Sequence, residues 1–285
     1  MDIRINDRPA DITLDTEKTL GDVLSGIEQW ISSSGNRIRE ISVDGQALAE
    51  ETLSDAFGRD IAEIKNLDIA VSAFRDLAAE ALSFLLASCE LYGSAAFDER
   101  ALIAKAWQES AAAHFLQEGI PDIYDFAGRA FSGEGLPALE LSAMAEERLR
   151  EVTGPAQEID ACEALVKTTA ARMEELPLDI QTGKDQRAAE TIQLFSRAGE
   201  KLFRIFFVLE SEGLSLDTLV VDGLPGRTFM EEFNAALTEI SAAYESRDTV
   251  LVGDLSEYEL SPRLLKFFLA LKRFSETSLP FAPAP

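Results

Sequence analysis

The sequence predicts an α+β module over residues 1–74, an all-α helical bundle over 75–277 and a short proline-rich tail over 278–285, mostly helical overall. Three observations carry this reading. Near the N-terminus apolar residues alternate with polar ones at period two, the pattern of half-buried strands. Beyond Phe74 that alternation gives way to steps of three and four residues, the pattern of amphipathic helices. A chain of 285 residues, 46% hydrophobic and without a low-complexity tract, is also long enough to bury the cores of two ordinary domains.

In the first module, Ile3 and Ile5, then Ile12 and Leu14, alternate with polar neighbours, predicting strands over 1–5 and 11–14. Residues 6–10 contain Asp, Arg and Pro and supply the turn. Thr19 is placed to cap a helix over 20–31, whose Leu20, Val23, Leu24, Ile27 and Ile31 form one apolar face. A strand over 38–43 runs into the turn signal Asp44-Gly45. The run Thr52-Leu53-Ser54-Asp55 starts a short helical turn, and a last strand covers 67–71.

The order strand, strand, helix, strand, Asp44-Gly45 turn, Leu48, Thr52-Leu53-Ser54-Asp55 and final strand resembles the ubiquitin-like family, with its spacing nearly intact over about a quarter of the chain. The resemblance implies a ubiquitin-like β-grasp domain over residues 1–74. Two departures limit what else it implies. Modifiers of that family end in a free Gly-Gly tail, whereas this chain continues through Ala73, Phe74 and Arg75 into a helix, so conjugation is not expected. The family's best-known binding surface is an apolar patch on the outer face of its third and fifth strands. The matching positions here are Ser42 and Ala70, small or polar, so partners that read that patch are not expected to bind. The module is instead expected to dock on its own helical region or on an unrelated protein.

In the remainder, helices are predicted over 75–92, 98–117, 121–131, 137–152, 156–176, 185–211, 227–246 and 249–275. The breaks fall at Gly93, Gly119-Ile120-Pro121, Gly133-Glu134-Gly135, Gly154-Pro155, Pro177 and Gly183. Residues 213–226 include Leu219-Val220-Val221 and are open to a short strand, a lid or a packed loop. Ile159, Cys162, Val166, Thr169, Met173 and Leu176 recur at alternating steps of three and four. Ala188, Ile192, Phe195, Gly199, Leu202, Phe206 and Leu209 do the same, as do Phe229, Phe233, Ala236, Ile240 and Ala243. Such spacing predicts near-parallel packing in an up-and-down bundle. Gly199, inside a helix, is expected to mark a close crossing. Pro262 either kinks the last helix or, with Ser261 as cap, begins a new one.

The charge bounds the partners. The net formal charge is −25, with seven basic and fifteen acidic residues in 1–74. A field of that sign repels phosphate backbones and anionic lipid, so neither nucleic acid nor a membrane is an expected partner, and a basic protein partner is favoured. The N-terminus opens on strand-like alternation without a signal segment, and no apolar run reaches the ~18–20 residues of a membrane span, so a cytoplasmic location is expected. Cys89 and Cys162 are too few and too far apart for a disulfide framework or a thiolate metal site, and read as buried thiols.

No catalytic constellation is apparent. His114 is the only histidine and sits on a helix after Ala111-Ala112-Ala113. No G-x-S-x-G element occurs, and neither Gly133-Glu134-Gly135 nor Gly223-Leu224-Pro225-Gly226 has the lysine and spacing of a phosphate-binding loop. One histidine cannot supply paired Glu-x-x-His elements, which leaves carboxylates alone as metal ligands, with Asp254 and Glu257 as the candidates for Mg²⁺ or Ca²⁺. The most basic stretch of the acidic chain, 263–274, combines Lys266, Lys272 and Arg273 with Phe267 and Phe268. It reads as a terminal bundle helix or as a docking helix. No cofactor is expected. The function expected from these residues is a non-enzymatic adaptor or scaffold. The alternatives are a chaperone or escort for a secreted or assembling protein, or a carboxylate-based Mg²⁺- or Ca²⁺-dependent enzyme or sensor.

Overall fold

The computed structural model describes residues 1–278 other than 11, 15, 34–35 and 134–136. The chain divides into two compact units, Met1–Glu146 and Glu147 onward. The predicted tail lies outside the described residues from 279, as do Glu134 and Gly135 of one predicted break.

The first unit opens with a small mixed sheet. β1 (Asp2–Ile5) pairs antiparallel with β2 (Arg8–Pro9) and parallel with β5 (Asn66–Ala73). β3 (Asn36–Val43) lies antiparallel on the far side of β5 and carries β4 (Gln46–Ala47) at its edge, so the order is β2-β1-β5-β3-β4. α1 (Leu20–Ser33) lays its predicted apolar face, Leu20, Val23, Leu24, Ile27 and Ile31, into one core with Ile3, Val43, Leu67 and Ile69. Thr19 caps it in a reciprocal box: its hydroxyl accepts from Asp22 N–H at 3.2 Å, and the Asp22 carboxylate accepts from Thr19 N–H at 3.0 Å. A short helix, α2 (Glu50–Ala56), forms over the Thr52-Leu53-Ser54-Asp55 run.

The second strand is not where the alternation places it. Asp11 lies outside the described residues, and residues 12–14 form no strand. β2 instead follows a two-residue turn at once, because Asn6 and Asp7 both adopt positive φ (47° and 64°), the geometry that folds adjacent strands back tightly. Asn6 is held there from the far strand: its side-chain amide donates to Val71 O at 3.0 Å and its carbonyl accepts from Val71 N–H at 2.8 Å.

α3 (Phe74–Ser94) continues directly from β5, and α4 (Phe97–Gln108), α5 (Ala111–Gly119) and α6 (Pro121–Phe131) follow. The single helix expected over 98–117 is therefore two. Ser110 makes the break by accepting from Ala113 N–H at 3.1 Å as the cap of α5. Leu82, Leu85, Leu116 and Ile123 are buried between these helices. The division between the units falls inside α7 (Ala138–Thr153).

In the second unit α8 (Pro155–Gln181) packs along α9 (Asp185–Glu210). A hairpin of β6 (Val220–Val221) and β7 (Leu224–Pro225) resolves residues 213–226 as a short strand pair, turned at Asp222 and Gly223, both with positive φ. α10 (Gly226–Glu245), α11 (Thr249–Asp254) and α12 (Ser261–Ser278) complete it. The predicted stripes are the core: Ile159, Val166, Met173 and Leu176 of α8, Leu202, Phe206 and Leu209 of α9, and Phe229 and Phe233 of α10.

Three expectations are corrected here. Pro177 does not end α8, which runs on to Gln181. The proline forfeits one backbone bond but gains a packing partner, since Gly253 comes so close that a Cβ there would sit 3.0 Å from Pro177 Cβ. Gly199 marks no close crossing, for a Cβ there would meet nothing within 4 Å. The last predicted helix is interrupted by a π-helical turn, Leu255–Leu260, in which Ser261 N–H bonds to Ser256 O. Pro262 has no N–H to return to the preceding turn, and the wider turn ahead of it absorbs that loss. Gly226, by contrast, is sterically required, because a Cβ would lie 2.8 Å from Leu216 O and 2.9 Å from Leu219 Cβ. Gly226→Ala is expected to destabilise the second unit by about 1–3 kcal/mol through overpacking, seen as a lower urea midpoint with an unchanged slope.

Candidate functional site

In the first unit, the segment that follows β2 comes beside α1 at Ala10, Ile12, Thr13, Leu14 and Glu17, and the two enclose a groove of about 420 Å³. Ala10, Ile12 and Leu14 line it from the segment, and Val23, Ile27 and Trp30 from the helix. Gly26 faces the groove with no side chain, and a Cβ there would meet nothing within 4 Å. Its volume lies at the small end of the ~300–1,000 Å³ range of ligand sites, enough for one or two side chains rather than a large cofactor. Trp30 is 60% exposed although it lines an apolar groove.

The rim is acidic. Glu17 and Asp22 both line the groove. Asp22 is held below the usual carboxylate range by the backbone N–H groups of Thr19 and Lys18 and by the Thr19 hydroxyl, so it stays charged. Residues 10–30 hold five carboxylates against a single lysine, Lys18. The opposite face of the sheet offers no comparable apolar surface. Strand alternation places Arg4, Glu40, Ser42, Asp68 and Ala70 on it, with Ser42 paired to Asp68 and Glu40 to Ala70.

Two charged clusters of the second unit bear on a candidate site. A broad, shallow depression at the α8–α9 turn is lined by Arg172, Lys184, Arg187 and Glu190. Its cations are already engaged: Lys184 with Asp179 at 3.1 Å, Arg187 with Asp179 at 3.1 Å and with Glu175, and Arg172 with Glu190 at 3.6 Å. The other cluster is interior. Glu151 of α7, only 1% exposed, accepts from Arg204 at 2.8 and 2.9 Å and from Arg148 at 3.3 Å. Lys201 donates to Glu147 at 2.9 Å and to Glu158 at 2.8 Å. Burial pushes the Glu151 carboxyl up to about 7 against the pull of Arg148 and Lys201, and the charges of Glu147 and Glu158 add to the rise. For Lys201 burial works against the charge, but Glu158 and Glu147 override it and raise the ammonium above its ordinary range. Such a cluster pins α7, α8 and α9 in one register.

The residues singled out in the sequence are dispersed. Asp254 closes α11 and Glu257 lies within the π turn, where it hydrogen-bonds to Tyr258 and raises that hydroxyl's pKa. Among the described residues no three His, Cys, Asp or Glu side chains are grouped to hold a metal ion. Phe267 and Phe268 of α12 are 0% and 2% exposed and belong to the core. Lys266 pairs with Asp222 at 2.8 Å, and Lys272 with Glu163 at 2.8 Å and Asp160 at 3.0 Å, so both cations bind this unit's own carboxylates. Arg273 is exposed. The 263–274 stretch is a bundle helix, and its Phe267 and Phe268 are committed to the core. His114 is exposed on α5, and Cys89 and Cys162 are buried thiols. Sequence reasoning missed the groove. Its one legible signal was Trp30, a large aromatic standing off the apolar stripe of its own helix. Among the described residues, no helix is long and apolar enough to cross a membrane.

The fold and site define a mixed-sheet module with a small apolar, acid-rimmed groove, followed by a helical remainder. Residues 1–73 match a family model described as the TP0873 N-terminal domain, and residues 157–268 match a domain of unknown function (DUF8042). The first match ends with β5, and the second runs from α8 into α12. No curated protein and no solved structure matches the chain.

Proposed function

We propose that the protein is a non-enzymatic interaction protein, an adaptor or scaffold in which a β-grasp, ubiquitin-like docking module is joined to an acidic helical region. The strand order β2-β1-β5-β3-β4, with a parallel β1–β5 pair and α1 following the first hairpin, supports the β-grasp reading. The observation that carries the functional reading is the groove beside α1, a concave, largely apolar surface whose charged lining residues are Glu17 and Asp22. The clustered ionisable groups of the second unit are paired with one another, which favours a structural role over a catalytic one.

The test uses the full chain with a photo-crosslinking amino acid at Gln29, an exposed α1 position next to Trp30. Irradiation in native lysate is expected to join one protein at near-stoichiometric yield. A binding isotherm for Mg²⁺ or Ca²⁺, together with turnover abolished by Asp254→Asn, would replace this reading with the metal-dependent one.

A further inference from the structure

We propose that the groove between α1 and Ala10, Ile12, Leu14 and Glu17 takes a segment of a partner protein that presents a bulky apolar side chain flanked by lysine or arginine. The inference rests on the interaction reading above and adds the chemistry of the partner. Three features of one surface point to that chemistry. The walls from Ile12, Leu14, Val23 and Ile27 are hydrocarbon, so what they bury must be apolar. The rim carboxylates Glu17 and Asp22, within a 21-residue stretch of five acids and one lysine, repel an acidic segment and attract a basic one. The indole of Trp30, 60% exposed, adds aromatic surface to the same groove. The charged residues that line the groove, Glu17 and Asp22, are both acidic, and Lys18 acts on the charge of Asp22 without lining the groove.

Gly26 makes the idea testable without harming the fold. Gly93, Gly128 and Gly199 are equally unhindered, so an unhindered helix glycine is not in itself a mark of function; Gly26 is the one of these four that lines the groove. A Cβ there meets nothing within 4 Å, so a leucine is expected to enter the groove against its apolar walls, and it improves helix propensity.

The experiment measures fluorescence anisotropy of a labelled peptide, Lys-Arg-Leu-Phe-Arg-Lys, titrated with the full chain. Controls are Glu-Asp-Leu-Phe-Asp-Glu and Lys-Arg-Ser-Ser-Arg-Lys. Saturable binding of the first peptide is expected, weakened about tenfold or more by Gly26→Leu, by loss of its Leu-Phe pair, and by raising salt from ~0.05 to ~0.5 M. The melting temperature of Gly26→Leu is expected at or above that of the parent, which separates occlusion from unfolding. Equal binding of the acidic peptide overturns the proposal. Binding that Gly26→Leu leaves unchanged also overturns it, since the peptide then sits elsewhere on an acidic surface, while the interaction reading survives. No peptide binding at ~1 mM alongside a partner cross-linked at Gln29 refutes the basic-apolar chemistry alone. If both experiments are blank, the interaction reading falls with it.

Discussion

Replacing Phe267 by alanine is expected to remove about 3–5 kcal/mol from the second unit, the range for deleting a large buried aromatic side chain. The ring has no solvent exposure and lies 5.2 Å from Phe203, 6.0 Å from Phe206 and 6.2 Å from Phe229, centroid to centroid. It therefore joins α9, α10 and α12, and its loss leaves a cavity that three helices cannot close together. Both tryptophans, Trp30 and Trp107, belong to the first unit. Unfolding of the second is better read by native-state hydrogen exchange of α9 and α12 amides. The neighbouring Lys266→Ala, which removes a half-exposed ion pair, is expected to change stability by no more than about 0.5 kcal/mol. A docking role for this stretch would give the reverse pattern: lost binding with stability intact.

The second large effect lies in the interior ion cluster. Arg204→Met leaves the Glu151 carboxylate buried without its two-pronged partner, and breaking a buried pair in this way is expected to lose about 3 kcal/mol or more at pH 8. The loss should depend on pH. Burial raises the folded-state pKa of Glu151 to about 7, above its ordinary value, so its contribution to stability is fully present below the ordinary carboxylate range and is lost as pH rises through about 7. At pH 5.5 Glu151 holds its proton, no buried anion is left with only Arg148 and Lys201 beside it, and Arg204→Met should cost distinctly less. Pairing it with Glu151→Gln should recover more than half of the loss at pH 8. Equal losses at both pH values would show that Glu151 is not the group responsible.

Glu163 slopes the other way. Hydrogen bonds from Lys167 and Lys272, reinforced by their charges, depress it to about 2, so its contribution is present above the ordinary range and is lost as pH falls toward 2. The Glu151→Gln variant should flatten the neutral limb of the stability curve and leave the acid limb in place.

Much of the secondary structure was legible because its causes are local. The Thr19 cap and the five apolar residues of α1 lie within fourteen positions of one another, and a helix turn needs nothing more distant. The heptad-like stripes of α8, α9 and α10 became the core for the same reason: an apolar stripe has one way to leave water. The failures are equally physical. Asn6 and Asp7 lack the glycine that advertises a tight turn, and the bonds that hold Asn6 come from Val71, 65 positions away. Pro177 reads as a helix end, yet packing against Gly253 carries α8 past it. The basic, aromatic look of 263–274 is the same whether Phe267 faces a partner or a core.

The amino-acid sequence by itself determined the mostly helical α+β class of the fold, much of the order of its elements, the net acidity, and the residues that seek burial, since each depends on composition or on neighbours within a turn or two. Only the tertiary structure decided where those residues meet. It joined Glu151 to Arg204 across 53 positions, set Ile12 and Leu14 against α1 to open a groove at Gly26, and buried Phe267 and Phe268 of a candidate docking helix. Such contacts arise from the packing of surfaces far apart in the chain, and no local pattern of residues encodes which surfaces those will be.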